Sequence, residues 1–467
     1  MVDAAPAPIV IVRDAARMPW PARVGDAMQR HRTPIQAVQW VVVGVYAVLV
    51  LLPAFLPLPP AGATILSNLT LFAQFVFWGL WWPFVIVSVM LLGRVWCGVF
   101  CPEGALTEFA SRHGLGRSIP RWMRWGGWPV LAFIATTVYG QLLSVYEYPQ
   151  ATLLILGGST LAALVVGFVY GKGKRVWCRH LCPVSGVFAL LARLAPLHFR
   201  VDESAWKRFN GPARRVDCAP LLDLRHLRSA AACHACGRCS GHRGAMALAA
   251  RSPNHEILSA AQTPDSAAAV LLVFGLLGVA VGAFQWTSSP WFVAMKQAAA
   301  HWLVEHDRLA LLDSNAPWWL LTHYPQANDV FTWLDGLAIC AYIGGYALLA
   351  GGASWLALHG AARVLGRGRL PATALAMALV PLAGAGLFLG LSMLTLNHLR
   401  AEGVPLPGVA ALRAAVLGGA LLWSLSLAAR LVFAARCASW RRALALALAG
   451  VPLAVTGAAW ALMLFVW

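Results

Sequence analysis

Ten cysteines stand in this chain, and eight of them fall into patterns that suit metal chemistry. Cys233-His-Ala-Cys236-Gly-Arg-Cys239 is C-x2-C-x2-C, the spacing by which one tight loop aims three thiolates at three irons of a cubane. Arg94-Val-Trp-Cys97-Gly-Val-Phe-Cys101-Pro102 returns 81 residues later as Arg175-Val-Trp-Cys178-Arg-His-Leu-Cys182-Pro183, an internal repeat of a Cys-x3-Cys-Pro loop.

A cubane needs a fourth thiolate. The position that would supply one just beyond Cys239 is Arg243, and the nearest alternative is Cys218, in Asp217-Cys218-Ala-Pro220. In two-cluster ferredoxins the last cysteine of one motif completes the cluster held by the other motif's first three. Cys218 fits that crossed role, so Cys218, Cys233, Cys236 and Cys239 form one full ligand set for a [4Fe–4S] cluster. A zinc site held by the same four thiolates is the alternative, although zinc sites favour paired C-x2-C units. Cys97, Cys101, Cys178 and Cys182 are candidates for a second metal or Fe–S site, for a dithiol relay, or for a transient Cu or Fe ion. Buried cysteines in two structural turns are the competing explanation.

The elements that must position these loops are membrane helices. Hydrophobic residues make up 60% of the chain and charged residues 12%, and a bilayer core of about 30 Å calls for roughly 20 apolar residues per helix. Nine runs qualify: 37–58, 70–92, 127–146, 152–170, 266–286, 333–358, 372–397, 409–429 and 443–466. Threaded from an internal N-terminus, 32 of the 36 Lys and Arg fall on one side, leaving Lys296, Arg308, Arg400 and Arg413 opposite. Cytoplasmic loops retain positive charge, so the expected orientation puts the N-terminus and all eight patterned cysteines in the cytoplasm of a bacterial inner membrane. A reducing compartment favours metal ligands over disulfides. The +18 charge borders helices and forms no basic face, which disfavours nucleic acid as a partner.

The expected fold class is thus an all-α polytopic membrane protein of about nine transmembrane helices with a small ferredoxin-like cytoplasmic 4Fe-4S insert. Five parts follow: an N-terminal tail (1–36), with no signal peptide pattern; a four-helix membrane domain with the two Cys-x3-Cys-Pro loops (37–196); the cluster domain (197–262); a fifth transmembrane helix with a Trp-rich periplasmic segment on the membrane surface (263–332); and a C-terminal four-helix bundle (333–467).

Ionisable residues at membrane depth are functional candidates. Here they are Asp335, His359, His398 and Arg413, with a candidate haem or quinone site near His398 and the periplasmic His301, His306 and His323. Cys340 and Cys437 read as small buried hydrophobes. Glu103 and Glu108, after the first Cys-Pro turn, read as helix-start carboxylates or proton carriers. No nucleotide loop, Ser-His-Asp order or paired acids are present, so hydrolases and ATPases are disfavoured and no catalytic residue is assigned.

The Cys-x3-Cys-Pro loops, the ferredoxin-like insert and the Asp217-Cys-Ala-Pro-Leu-Leu-Asp-Leu-Arg225 run together resemble the NapH/NosR/CcoG class of membrane ferredoxins, over roughly residues 70–260. That resemblance implies electron movement at or across the cytoplasmic membrane, in nitrate or nitrous oxide reduction, copper reduction for oxidase assembly, or iron uptake. Members usually bind two [4Fe–4S] clusters, whereas this chain keeps ferredoxin ligands for one. The favoured reading is a conduit joining a cytoplasmic electron donor or acceptor to a membrane or periplasmic partner, such as a cupredoxin, permease or respiratory component, with ferrous-iron uptake as the setting. A copper or iron metalloreductase at the Cys-x3-Cys-Pro loops, and a metal-binding sensor or transport protein without turnover, are the alternatives.

Overall fold

The computed structural model describes residues 18–60, 62–212, 216, 218–260, 265–366 and 368–467, so Arg13, Arg17 and Asp217 lie outside the described residues. From the N-terminus, α1 (Trp20–Arg30) leads into α2 (Arg32–Ala54) and α3 (Leu69–Leu92). After the first cysteine loop come α4 (Pro102–Arg112), α5 (Trp128–Leu142) and α6 (Pro149–Tyr170). The second loop runs into α7 (Ser185–Leu194).

Among the described residues, eight helices are long and apolar enough to cross a membrane: α2, α3, α6, α8 (Ser266–Gln285), α10 (Trp333–Leu365), α11 (Val380–Ala401), α12 (Val409–Ala434) and α13 (Ser439–Val466). The chain is therefore a multi-pass membrane protein. The run at 127–146, expected as a ninth, forms the shorter 15-residue α5, about 22 Å at 1.5 Å per residue, which with α6 still carries the chain away and back, since the cysteine loops before α4 and before α7 line one cavity. Its remainder is used in a turn at Ser144, which has φ 49°. The Thr322 backbone N–H donates to Leu142 O at 2.8 Å, satisfying a carbonyl that the helix end would otherwise leave open.

Central among these helices, α8 is the most buried, with α5, α7, α10 and α11 around it. Small residues permit that approach: a Cβ on Gly278 would lie 3.0 Å from Ala347 Cα on α10. Close backbone contact of this kind is how helices associate where lipid removes the hydrophobic incentive. On the opposite face from the cysteines, α9 (Pro290–Glu305) and the hairpin β3 (His323–Tyr324) with β4 (Asp329–Val330) fill the segment before α10. α9 leaves Trp291, Val293 and Trp302 exposed.

The insert is built on one antiparallel pair, β1 (Leu197–Val201) with β2 (Met246–Ala250), in the register Leu197↔Ala250 to Val201↔Met246. Phe199, Leu227, Ala235, Cys239, Met246 and Leu248 form its small core. α1 packs on β2, and Asp26 accepts a 2.6 Å hydrogen bond from the Ser240 hydroxyl.

Candidate metal centre

Both copies of the repeat fold as a short helical turn closed by Cys-Pro. In the first copy Cys101 N–H donates to Trp96 O at 2.8 Å, and in the second Cys182 N–H donates to Trp177 O at 3.0 Å. Pro102 then starts α4, a position where the missing N–H costs nothing. The two loops meet. Cys97, Cys101, Cys178 and Cys182 all line one apolar cavity of about 210 Å³, walled by Trp78, Trp81, Trp96, Phe133 and Tyr146. Burial pushes the Cys101 and Cys182 thiols well up and Cys178 to about 12, and the cysteines' proximity to one another adds to the effect.

The insert supplies a second group. Cys233 and Cys239 each feel the charge of Cys236 and Cys218, with burial the larger influence and the Cys233 thiol raised to about 12. Ala235 N–H donates to Cys233 Sγ at 3.4 Å. Ala235 (φ 46°) and Gly237 (φ 76°) place left-handed turns on either side of Cys236, which curls the loop around its sulfurs. A Cβ on Gly237 would also fall 2.5 Å from Met28 Cβ of α1.

The structure thus gathers the eight patterned cysteines into two neighbouring groups, and the loops that carry them touch. A Cβ on Gly98, between Cys97 and Cys101, would sit 2.1 Å from His234 O and 3.0 Å from Cys236 Cα. From the second loop, Arg175 N–H donates to Ala219 O at 2.9 Å and Arg179 Nη1 to Pro220 O at 3.2 Å, which docks the Cys218 segment. Each cysteine loop of the repeat therefore holds one side of the insert.

Two buried arginines, Arg94 (4% exposed) and Arg175 (0%), open the repeat copies and reach across the pair. Arg94 donates to Ser185 Oγ at 3.0 Å and to Ala231 O at 2.9 Å, while Arg175 donates to Cys97 O and, at 2.8 Å, to Glu108 Oε2. Glu103 accepts from the Ser159 hydroxyl at 2.6 Å and from the Trp177 indole at 3.1 Å. In the sequence the two arginines stand only as flanks of the cysteines, and their recurrence at the same repeat position is the signal that marks them.

The other candidates have local explanations. Asp335 forms a capping box with Thr332 at the start of α10 and ion-pairs with Lys296. His306, His359 and His398 each place Nδ1 2.8–2.9 Å from the carbonyl four residues back in their own helix. His301 pairs with Glu305 at 3.1 Å and His323 lies on β3. Arg413 is buried on α12; Cys340 is exposed and Cys437 half-buried.

The donor sets fit an iron–sulfur cluster. Each offers four thiols, and the repeat quartet opens on a cavity far larger than one ion requires. Among the described residues no three His, Cys, Asp or Glu side chains are placed to hold a single metal ion.

Residues 74–122 and 153–201 match the 4Fe-4S binding domain, so each copy of the repeat lies within a matched segment. The chain is also similar to the ferredoxin-type protein NapH of Haemophilus influenzae, at 29% identity over 176 residues, 33% of this chain and 61% of that protein. It is similar to the putative electron transport protein YccM of Escherichia coli, at 26% identity over 25% of this chain and 39% of YccM. Likewise it matches the methylamine utilization ferredoxin-type protein MauN of Paracoccus denitrificans, at 30% identity over 22% of this chain and 40% of MauN. The resemblance to ferredoxin-type membrane proteins of the NapH type is thus supported by the matched 4Fe-4S binding domain and by these relatives. The matched 4Fe-4S binding domain gives the chain a [4Fe–4S] cluster. The chain spans less than two thirds of the length of each of these relatives, and no solved structure matches it.

Proposed function

We propose that the protein moves electrons through two adjacent cysteine-ligated sites, one held by Cys218, Cys233, Cys236 and Cys239 and one by Cys97, Cys101, Cys178 and Cys182. The observation that carries this reading is the contact of Gly98 with the Cys236 backbone, which brings the loop between Cys97 and Cys101 directly against the Cys233–Cys239 loop. A [4Fe–4S] cluster, when bound, supplies one-electron exchange without bond making or breaking. The chain's residues do the rest. They bury the thiolates, set buried arginines beside them to offset negative charge, and seat one quartet in the soluble insert and the other against the apolar helices. Electrons thereby pass between an aqueous donor or acceptor and a redox partner at or beyond the membrane.

The Lys and Arg distribution supports a cytoplasmic insert in a bacterial inner membrane. The four C-terminal helices lie outside the matched segments, which supports a dedicated accessory role, and we place that role in ferrous-iron uptake. The metalloreductase alternative is favoured by one feature, the opening of the repeat cysteines onto a cavity.

Iron, acid-labile sulfide and EPR on anaerobically purified variants test the reading. Cys236→Ser and Cys97→Ser should each remove a different signal. Loss of nothing in the Cys97→Ser variant would confine the chemistry to the insert.

A further inference from the structure

The buried carboxylate of Glu108 joins all three cysteine loops. It sits on α4, directly after the first Cys-x3-Cys-Pro loop, and is 4% exposed. Its Oε2 accepts from Arg175 Nε at 2.8 Å, at the head of the second loop. Its Oε1 accepts from Arg238 Nη2 at 2.6 Å, inside the Cys236-Gly-Arg-Cys239 turn of the insert, and from Arg112 Nη2 at 3.0 Å. Arg175 in turn donates to Cys97 O and feels the charges of Cys178 and Cys236. Bonds spanning 67 and 130 residues of sequence therefore converge on one side chain.

We infer that Glu108 is a positioning residue that locks the two cysteine quartets together and offsets the arginine charge lying between them. The inference rests on the two-site reading above. Burial works against ionisation of this carboxyl, but Arg175 and Arg238 outweigh it and hold the group at about 2, so the carboxylate is charged at any working pH. A buried pair broken on one side leaves the partner charge uncompensated, which costs far more than an exposed pair. Without Glu108, Arg175 and Arg238 would repel each other across the seam between the quartets. Gly104 closes the remaining space, since a Cβ there would lie 3.1 Å from Arg175 Nη1.

The test uses the full-length protein with Glu108→Gln, Glu108→Asp and the exposed control Glu203→Gln. EPR-monitored redox titration should show both midpoint potentials displaced upward in Glu108→Gln, because removal of a negative charge favours the more negative, reduced state. Glu108→Asp, which keeps the charge, should return both potentials most of the way to wild type, and Glu203→Gln should move neither. A merely structural residue would alter occupancy without moving both potentials in the same direction. Maleimide labelling after iron removal by a chelator reads positioning without any cluster. Labelling of Cys97, Cys178 and Cys236 should quicken by at least about tenfold in Glu108→Gln, the opening expected when a buried ion pair is broken. Where Glu108→Gln does not accumulate, Glu108→Asp carries both measurements, with slower labelling than a disordered loop and faster than wild type. Unchanged potentials and unchanged labelling, or a shift confined to one quartet, would overturn the inference. Wild-type protein devoid of clusters but with Glu108-dependent labelling would instead refute the two-site reading and leave the lock standing.

Discussion

Gly98→Ala is the sharpest structural perturbation this arrangement offers. Its new methyl would be placed 2.1 Å from His234 O and 3.0 Å from both the N and Cα of Cys236. Real Cβ contacts essentially never fall below 3.0 Å, so the loops must part by about 0.9 Å at the least. Neither side is free to yield. Gln39 Nε2 donates to Gly98 O at 2.9 Å from α2, and Arg175 holds Cys97 O from the second loop. On the other side Met28 of α1 backs the insert loop against Gly237. Overpacking of a tight interior costs about 1–3 kcal/mol, and at about 1.4 kcal/mol per factor of ten the closed arrangement should lose roughly five- to over a hundredfold in population. The assay is electron transfer between the sites, followed in stopped flow with a soluble reductant, with each site's EPR amplitude recorded in parallel. Gly344→Ala is the control, because nothing lies within 4 Å of a Cβ there. Slow transfer with both signals present is the expected result. Gly98→Ala protein with wild-type transfer and both signals intact would refute the claim that this contact joins the sites.

Cys218→Ser should damage the same EPR signal as Cys236→Ser, while Cys340→Ser and Cys437→Ser leave it unchanged. Reporter fusions after residues 62 and 310 should report the outer side, and fusions near 115, 240 and 366 the inner side; an outer signal at 240 would reverse the orientation. Burial, then the neighbouring Arg251, lowers His198 on β1 from 6.5 to about 4. Its folded pKa lies below its unfolded one, so its contribution to stability is complete above about 6.5 and is lost as pH falls through about 4. Hydrogen-exchange protection factors at β1 and β2, corrected for intrinsic rates, should accordingly fall across that window, and His198→Gln should flatten the dependence.

Much of the membrane architecture could be read from apolar runs, because a helix in lipid satisfies its backbone internally and announces itself by length. The 127–146 run gives a shorter helix than its length suggests, because a hydrophobic stretch does not show where a turn will interrupt it. Here the turn at Ser144 is fixed by Thr322, 178 residues away. Cysteine spacing shows which loops carry thiols, since ligand geometry is local to each loop. What spacing does not carry is the seam between loops. Gly98 and Arg179 occupy the same place in the two repeat copies, yet one is bare to admit the Cys236 turn and the other reaches Pro220 beside Cys218. Glu108 reads from sequence as a helix-start charge because its partners, Arg175 and Arg238, are distant along the chain. Asp335 shows the reverse, since Thr-x-x-Asp before an apolar run is a capping signature and the structure uses it as one.

The central claim is that two cysteine-ligated clusters lie side by side. Low-temperature EPR of the fully reduced full-length protein, with iron and sulfide measured on the same sample, tests it most directly. The account predicts about eight irons by the stoichiometry of two cubanes and a broadened, spin-coupled spectrum that collapses to a simple one in either Cys97→Ser or Cys236→Ser. A spectrum of isolated, uncoupled clusters, or about four irons that survive the loss of Cys97, would contradict it.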